Sequence, residues 1–320
     1  RSHSILTSQQ EAGWETLAVT RLGYPVQIGA LTARKQDIVD GVPYERILPG
    51  RMAATMDGRL QQQASELLTL AQKFRPSVLH TTTHFVNGLV AREVASALDI
   101  PWVYEVRGQL ADTWASSRDE AARSSERYKL FTAREADVMR AADLVVTLGE
   151  SMKRNIAAMG IPHNKILISP NAVGGAYLEA PLEHREARRA LSLEPDDLYI
   201  GTVSSLVGYE GLEDLVTSFA LLAPRLPKLK LILVGDGTAA PSLRDQVERL
   251  GLSERTIFTG RVRPEQARLY HCALDVFVVP RKDSTVTQAV TPLKPVEALA
   301  SGRPVVASDL SAGPCVPPIW

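Results

Sequence analysis

Short apolar runs alternate with amphipathic stretches along almost the whole chain, and this alternation restricts the fold to parallel sheets covered by helices on both faces. In the first half the runs are Ser77–His80, Trp102–Val106, Leu144–Leu148 and Lys165–Ile168. The second half carries Leu198–Val203, Leu229–Val234, Thr256–Phe258, Val276–Val279 and Pro304–Ala307. Between the earlier runs, Ala53 to Lys73, Val86 to Leu98 and Glu120 to Ala141 repeat apolar residues at three- and four-residue intervals, which predicts helices. A chain of 320 residues is long for one core, and the polar, proline-bearing stretch from Leu178 to Asp197 reads as a connection. The expected organisation is a first Rossmann-like domain over 1–178, a linker over 179–197 and a second Rossmann-like domain over 198–320.

Composition excludes several classes. Lys plus Arg and Asp plus Glu number 36 each, so no long-range basic field points to nucleic acid. No apolar stretch approaches membrane-spanning length and no charged-then-apolar leader precedes the first element. Cys272 and Cys315 lack metal or disulfide-framework spacing, which suits a reducing compartment, and the expected location is cytoplasmic. Both ends depart from a complete doubly wound pattern. Ser4 to Glu11 reads as a helix and Thr16 to Thr20 as a strand, without the opening strand and Gly-rich turn, and Gly313–Trp320 has three prolines and no period. The expectation is a chain truncated at both ends.

In open α/β sheets ligands lie at the carboxyl ends of the strands. In the second half those positions hold Ser204 and Ser205, then Gly235-Asp-Gly237, then Gly260 and Arg261, then Pro280 and Arg281. Small residues admit close backbone approach, and the arginines suit a diphosphate. Gly235-Asp-Gly237 is a weak signal, because Ala240 replaces the third glycine of the dinucleotide fingerprint and a plain strand-to-helix turn explains it equally well. The run from Thr291 to Asp309 is more specific. Pro292 and Pro295 suit a first helical turn, Gly302 a helix end, and Lys294 is a cation at the positive end of a helix dipole. A bound phosphate would resolve that conflict, with Glu297 one turn further in to take ribose hydroxyls.

Thr291-Pro-Leu-Lys-Pro-Val-Glu-Ala298 resembles the nucleotide-binding element of family-four retaining glycosyltransferases, which have two Rossmann-like domains in the GT-B arrangement. Ser204-Ser-Leu-Val-Gly-Tyr-Glu-Gly-Leu-Glu-Asp-Leu215, Leu233-Val-Gly-Asp-Gly237 with Phe258-Thr-Gly-Arg-Val262, and Val103-Tyr-Glu-Val-Arg-Gly108 agree, in order, from near Arg1 to Asp309. The resemblance implies transfer of a sugar from a nucleotide-diphosphate sugar to a glycan or lipid-linked hydroxyl acceptor, with retention of configuration and no separate cofactor. Donor contacts are then expected from Ser204, Ser205, Gly235, Arg261, Arg281, Lys294 and Glu297, and catalytic roles from His84, Arg107 and Lys294. His84 matches the family's loop histidine better than His80, which continues a strand. Asn87, Glu105 and Asn171 are expected to touch acceptor or sugar; Glu105 and Arg107 also suit a structural salt bridge.

Two departures matter. Glu210 stands where the commoner version has Lys, so it must point away from a diphosphate or serve another role. Ala289 stands where the commoner version has the first of two glutamates, which leaves Thr287, Gln288 and the backbone near Val290 as substitutes for sugar recognition. Arg123, Arg127 and Arg134 share a helical face with Glu120, Glu126 and Glu135, read as solvated, though such a face also suits peripheral contact with a membrane bearing a lipid-linked acceptor. Three rival readings are a nicotinamide-dependent oxidoreductase, a sugar epimerase of the same two-domain form, and a noncatalytic binding protein. No Asp-x-Asp or histidine-rich ligand cluster occurs. Turnover is therefore expected to survive EDTA; loss in chelator with rescue by magnesium or manganese would overturn that expectation.

Overall fold

A computed structural model of the protein describes residues 2–116 and 118–311. The tail expected from Gly313 onward, with Cys315, lies outside the described residues. The chain forms two compact units. One runs through Ala111 and adds Glu120–Thr147 and Lys153–Ile168; the other holds Asp112–Asp119, Leu148–Met152 and the chain from Ser169.

The first unit carries two sheets. Strands β1 (Ala18–Val19), β2 (Gln36–Val39) and β3 (Val42–Glu45) make a small mixed sheet in the order β1-β3-β2, with β2 and β3 antiparallel. The strand expected over Thr16–Thr20 is thus shorter, and it pairs with β3. The β2–β3 hairpin is not among the expected elements, although its signal is legible. Asp40-Gly41 sits between the paired Val39 and Val42 with φ of 47° and 81°, the left-handed pair that a tight two-residue hairpin needs. Strands β4 (Leu79–Thr82), β5 (Trp102–Val106), β6 (Leu144–Thr147) and β7 (Ile166–Ile168) form a wholly parallel sheet in sequential order. Helices Met56–Phe74, Phe85–Leu98 and Glu126–Ala141 stand at the expected places. The last begins late, because Ser125 caps it by accepting from the Tyr128 N–H, after a separate 3₁₀ turn over Glu120–Ser124.

The second unit is built on five parallel strands, β8 (Leu198–Val203), β9 (Leu229–Val234), β10 (Thr256–Gly260), β11 (Val276–Val279) and β12 (Val305–Ala307). Their order is β10-β9-β8-β11-β12, so the winding reverses between β8 and β11, the switch point where doubly wound sheets bind ligands. β9 is buried on both faces. Leu231 and Leu233 pack with Leu215, Phe219 and Leu243 on one side; Ile232 and Val234 pack with Tyr199, Phe277 and Ala298 on the other. Each such side chain contributes about 1.5–3 kcal/mol by burial, which makes this strand the unit's centre.

Residues 179–197, expected as a connection, carry the helix His184–Ala190. Its Ala187 is fully buried with Cys272 and Ala273 of the helix Pro264–Ala273. Arg188 is 4% exposed; it donates to the carbonyls of Ala273 and Pro195 and to Asp275 Oδ2 at 2.6 Å. Among the described residues, no helix is long and apolar enough to cross a membrane.

Candidate functional site

At the carboxyl ends of β8, β9 and β10 the second unit has a cavity of about 320 Å³, lined by Ser204, Ser205, Gly235, Asp236 and Arg261 among others. Four expected donor residues therefore converge. Gly235 is required by chain packing: at φ 126° a Cβ would lie 1.9 Å from the Ser204 carbonyl oxygen. The loops after β8 and β9 are in backbone contact there, and Leu206 N–H donates to the Asp236 carbonyl at 3.1 Å. Asp236 is used locally, accepting from the Gly237 N–H at 2.8 Å, which is the plain-turn reading of that segment.

A second cluster gathers Lys294, Glu210, Arg281 and Glu297. Lys294 opens the helix Lys294–Ala300, and its Nζ donates to Glu210 Oε1 at 2.7 Å. Glu210 therefore does not point away from the expected phosphate site; it is the partner of that site's lysine. Burial lowers the pKa of Lys294 below the ordinary lysine range, opposed by the charge and hydrogen bond of Glu210. Burial likewise lowers Arg281, again opposed by Glu210. Arg281 is 7% exposed, donates through Nη1 to the Val290 carbonyl at 2.9 Å, and has a buried Nε with no hydrogen-bond partner among the described residues. Burial raises the Glu297 carboxyl, with Lys294 opposing.

The segment expected to recognise the sugar is engaged in holding itself together. Thr287 is fully buried, donates to the Lys282 carbonyl and caps the helix Thr285–Ala289 with Ser284, so it is not a free sugar contact. The backbone at Val290 is also taken, its carbonyl by Arg281 and its N–H by the Val286 carbonyl. Gln288 donates to Asp283 Oδ1 at 2.7 Å and accepts from the Ser311 N–H at 2.9 Å. Asn171 donates to the Thr291 carbonyl at 2.8 Å and has a buried Oδ1 with no partner among the described residues, and Ser151 donates to the Gln288 carbonyl at 2.6 Å. Side chains from three separate elements thus clamp the carbonyls of residues 288, 290 and 291.

In the first unit, His84 caps the helix Phe85–Leu98, its Nδ1 accepting from the Val86 N–H at 3.4 Å. Burial, then the charge of Arg21, lowers its pKa, which keeps the ring neutral near pH 7. Asn87 turns its amide N–H to the Thr82 carbonyl at 3.0 Å and has a buried Oδ1 with no partner among the described residues. Glu105 and Arg107 form the salt bridge that their positions also suited. Glu105 is 3% exposed and bonded to Arg107 Nη2 at 2.6 Å, with His80 Nε2 at 3.5 Å. Burial raises the Glu105 carboxyl, but hydrogen bonds and charge from His80 and Arg107 outweigh it and hold the pKa at about 2. Arg107 also donates to Ser2 Oγ at 2.6 Å. Their side chains are thus placed in one polar network around the buried Glu105 carboxylate.

The reading of Glu135 as part of a solvated face is corrected. Glu135 is 9% exposed, accepts from Tyr104 Oη at 2.6 Å and from the Phe85 N–H at 2.7 Å, and so fixes the helix start next to His84. Burial raises its pKa against both bonds. The sequence signal was available in its spacing, since Glu135 stands beside buried Ala136 and one turn before Met139. Arg123, Arg127 and Arg134 are exposed as expected.

Comparison with known proteins gives consistent matches. The family described as "Glycosyl transferase 4-like domain" matches residues 1–172, and "Glycosyl transferases group 1" matches 183–316. The chain is 27% identical over 248 residues to the alpha-monoglucosyldiacylglycerol synthase of Streptococcus pneumoniae, covering 76% of this chain and 54% of that protein. It is 29% identical over 166 residues to the lipopolysaccharide core biosynthesis mannosyltransferase LpsB of Rhizobium meliloti, covering 50% and 44%. The chain thus spans about half the length of the curated relatives it matches. Among solved structures, Anabaena HepE in complex with UDP and glucose superposes with a TM-score of 0.65 at 18% identity, over 85% of this chain and 69% of that one. Sucrose-phosphate synthase from Thermosynechococcus elongatus gives 0.68 at 19% identity, over 96% and 74%. These two establish the fold. None of these matches favours the oxidoreductase, epimerase or binding-protein readings. With two parallel-sheet units, donor-type residues gathered at the carboxyl strand ends of the second, and a family match over more than half its length, the chain belongs to the group 1, family-four-like glycosyltransferases of the GT-B fold.

Proposed function

We propose that the protein transfers a glycosyl group from a nucleotide-diphosphate sugar to a hydroxyl of a glycan or lipid-linked acceptor, with retention and without a metal. The observation that carries this reading is the pair of cations, half-buried Lys294 and buried Arg281, gathered with Glu297 in the unit whose strand-end cavity holds Ser204, Ser205, Gly235 and Arg261. The cations hold the diphosphate, Glu297 takes the ribose hydroxyls, and the cavity takes the remainder of the nucleotide. When the anomeric carbon–oxygen bond breaks, its electron pair goes to the diphosphate, where fixed positive charge stabilises it. The acceptor oxygen forms the new bond on the same face and passes its proton to the departing phosphate oxygen. No carboxylate stands at Ala289 or Gln288 to act as a nucleophile, which favours this same-face route. His84, kept neutral by burial, polarises sugar hydroxyls. A lipid-linked acceptor would bring the protein to a membrane surface, and the Streptococcus relative is named for a glucosyldiacylglycerol lipid.

Isothermal titration with a nucleoside, its monophosphate and its diphosphate tests the assignment. Lys294→Ala is expected to weaken the diphosphate by about 1.5–3 kcal/mol, roughly 10- to 150-fold, and to spare the nucleoside. Glu297→Gln is expected to weaken all three through the ribose. Equal losses for all three ligands in Lys294→Ala would remove Lys294 from the phosphate site.

A further inference from the structure

Glu210 stands out because a carboxylate in a diphosphate site opposes the ligand. The side chain is held there by construction. It lies on the 3₁₀ turn Gly208–Glu210 that follows β8, and is 6% exposed. On one side of it, the Tyr209 carbonyl accepts from the Lys282 N–H at 3.1 Å. On the other, Gly211 has φ 67° and packs so closely that a Cβ would lie 1.9 Å from the Pro280 carbonyl oxygen. Residues 209 and 211 are thus docked on the backbone at 282 and 280, which sets Glu210 beside Arg281, while its Oε1 accepts from Lys294.

One carboxylate therefore serves two cations: it is bonded to the half-buried Lys294 ammonium and acts on the buried Arg281 guanidinium through its charge. Without an anion they would repel each other in a poorly solvated place, and the charge of Glu210 favours the charged form of both. A diphosphate would provide the same service with more charge. Ligand and Glu210 then compete for the same ammonium and guanidinium groups.

Resting on the proposed donor site, we infer that Glu210 is a resident counter-anion that competes with the diphosphate for Lys294 and Arg281. It keeps the cations charged and placed when the site is empty, and it weakens the hold on the nucleoside diphosphate product, so that product leaves. The carboxylate costs affinity and gains release. This makes Glu210 a determinant of product affinity, acting through the two cations.

The test is titration of UDP, GDP and ADP, with their nucleosides, into wild type, Glu210→Gln, Lys294→Ala and the double variant. Gln keeps an acceptor for Lys294 and removes the charge. Glu210→Gln is expected to bind the preferred diphosphate about tenfold more tightly, the scale of one removed like-charge contact in a partly buried site, with nucleoside affinity unchanged. The gain should shrink when Lys294 is also Ala, and product inhibition of turnover should deepen in parallel. A merely structural Glu210 would instead weaken nucleoside and diphosphate together. If wild type binds diphosphate through Lys294 and Glu210→Gln leaves that affinity unchanged or weaker, the inference is overturned and the donor site stands. If wild type binds no diphosphate, or Lys294→Ala does not alter its binding, both fall. Should Glu210→Gln fail to melt cooperatively, Glu210→Asp keeps the charge but draws it back by one methylene. It is expected to tighten the diphosphate about threefold, and no tightening in that variant overturns the inference.

Discussion

Arg188→Ala is expected to destabilise the second unit by about 3 kcal/mol, the low end of the scale for removing one partner of a buried ion pair because Asp275 is only partly buried, and so to take away much of a domain's typical margin. The guanidinium closes a network of five contacts: it bonds the carbonyls of Ala273 and Pro195 and the carboxylate of Asp275, which in turn accepts from the Tyr199 N–H at 2.6 Å and meets His184 at 3.3 Å. Tyr199 is the second residue of β8, so the network ties the helix His184–Ala190 to the start of that strand. Removing Arg188 leaves the Asp275 carboxylate without its main counter-charge. Arg188 also stacks on the Tyr199 ring, with its guanidinium carbon 5.0 Å from the ring centroid, so packing is lost too. Urea unfolding at neutral pH measures the effect. A loss below about 1 kcal/mol would mean that water reaches Asp275 and that residues 179–197 act as a plain connection.

The second large effect is acid lability through His271. The ring is fully buried, its Nδ1 is 3.0 Å from Tyr177 Oη, and its Nε2 has no hydrogen-bond partner among the described residues. An added proton would therefore be stranded, and burial depresses the folded-state pKa from 6.5 to about 4. The unfolded chain takes up that proton first. Stability from this group is fully present above about pH 6.5 and is lost as pH falls through about 4. At about 1.4 kcal/mol per pH unit, the loss over that window comes to about 3 kcal/mol. Measured between pH 7 and pH 4.5, wild type should lose stability more steeply than His271→Gln by one proton's worth. Parallel slopes for the two proteins would show that His271 is protonated in the folded state.

Local patterns were legible in the sequence wherever the physics is local. β5 spans the run Trp102–Val106 as expected, and β8 and β9 likewise match theirs, because a strand buried on both faces needs a continuous apolar run. The convergence of Ser204, Ser205, Gly235 and Arg261 on one cavity was also foreseeable, since parallel topology alone puts strand ends together. Glu135 shows where such reasoning fails. Its charge argued for solvent, yet a buried carboxylate is stable when Tyr104 Oη and the Phe85 N–H are both turned to it, and neither partner is a neighbour in sequence. Thr287 failed in the other direction. A hydroxyl near the expected sugar site looked available, but an adjacent helix start consumes it.

The sequence by itself determined the layered α/β architecture, the glycosyltransferase family and the segment that carries Lys294 and Glu297, because periodicity and motif are properties of consecutive residues. Only the tertiary structure decided which groups those residues face. Glu210 and Lys294 lie far apart in the chain and are brought to 2.7 Å by the return of the strand order from β8 to β11, where the winding reverses. Partner choice for a buried charge is set by desolvation, and desolvation depends on everything packed around the group, which no stretch of sequence records.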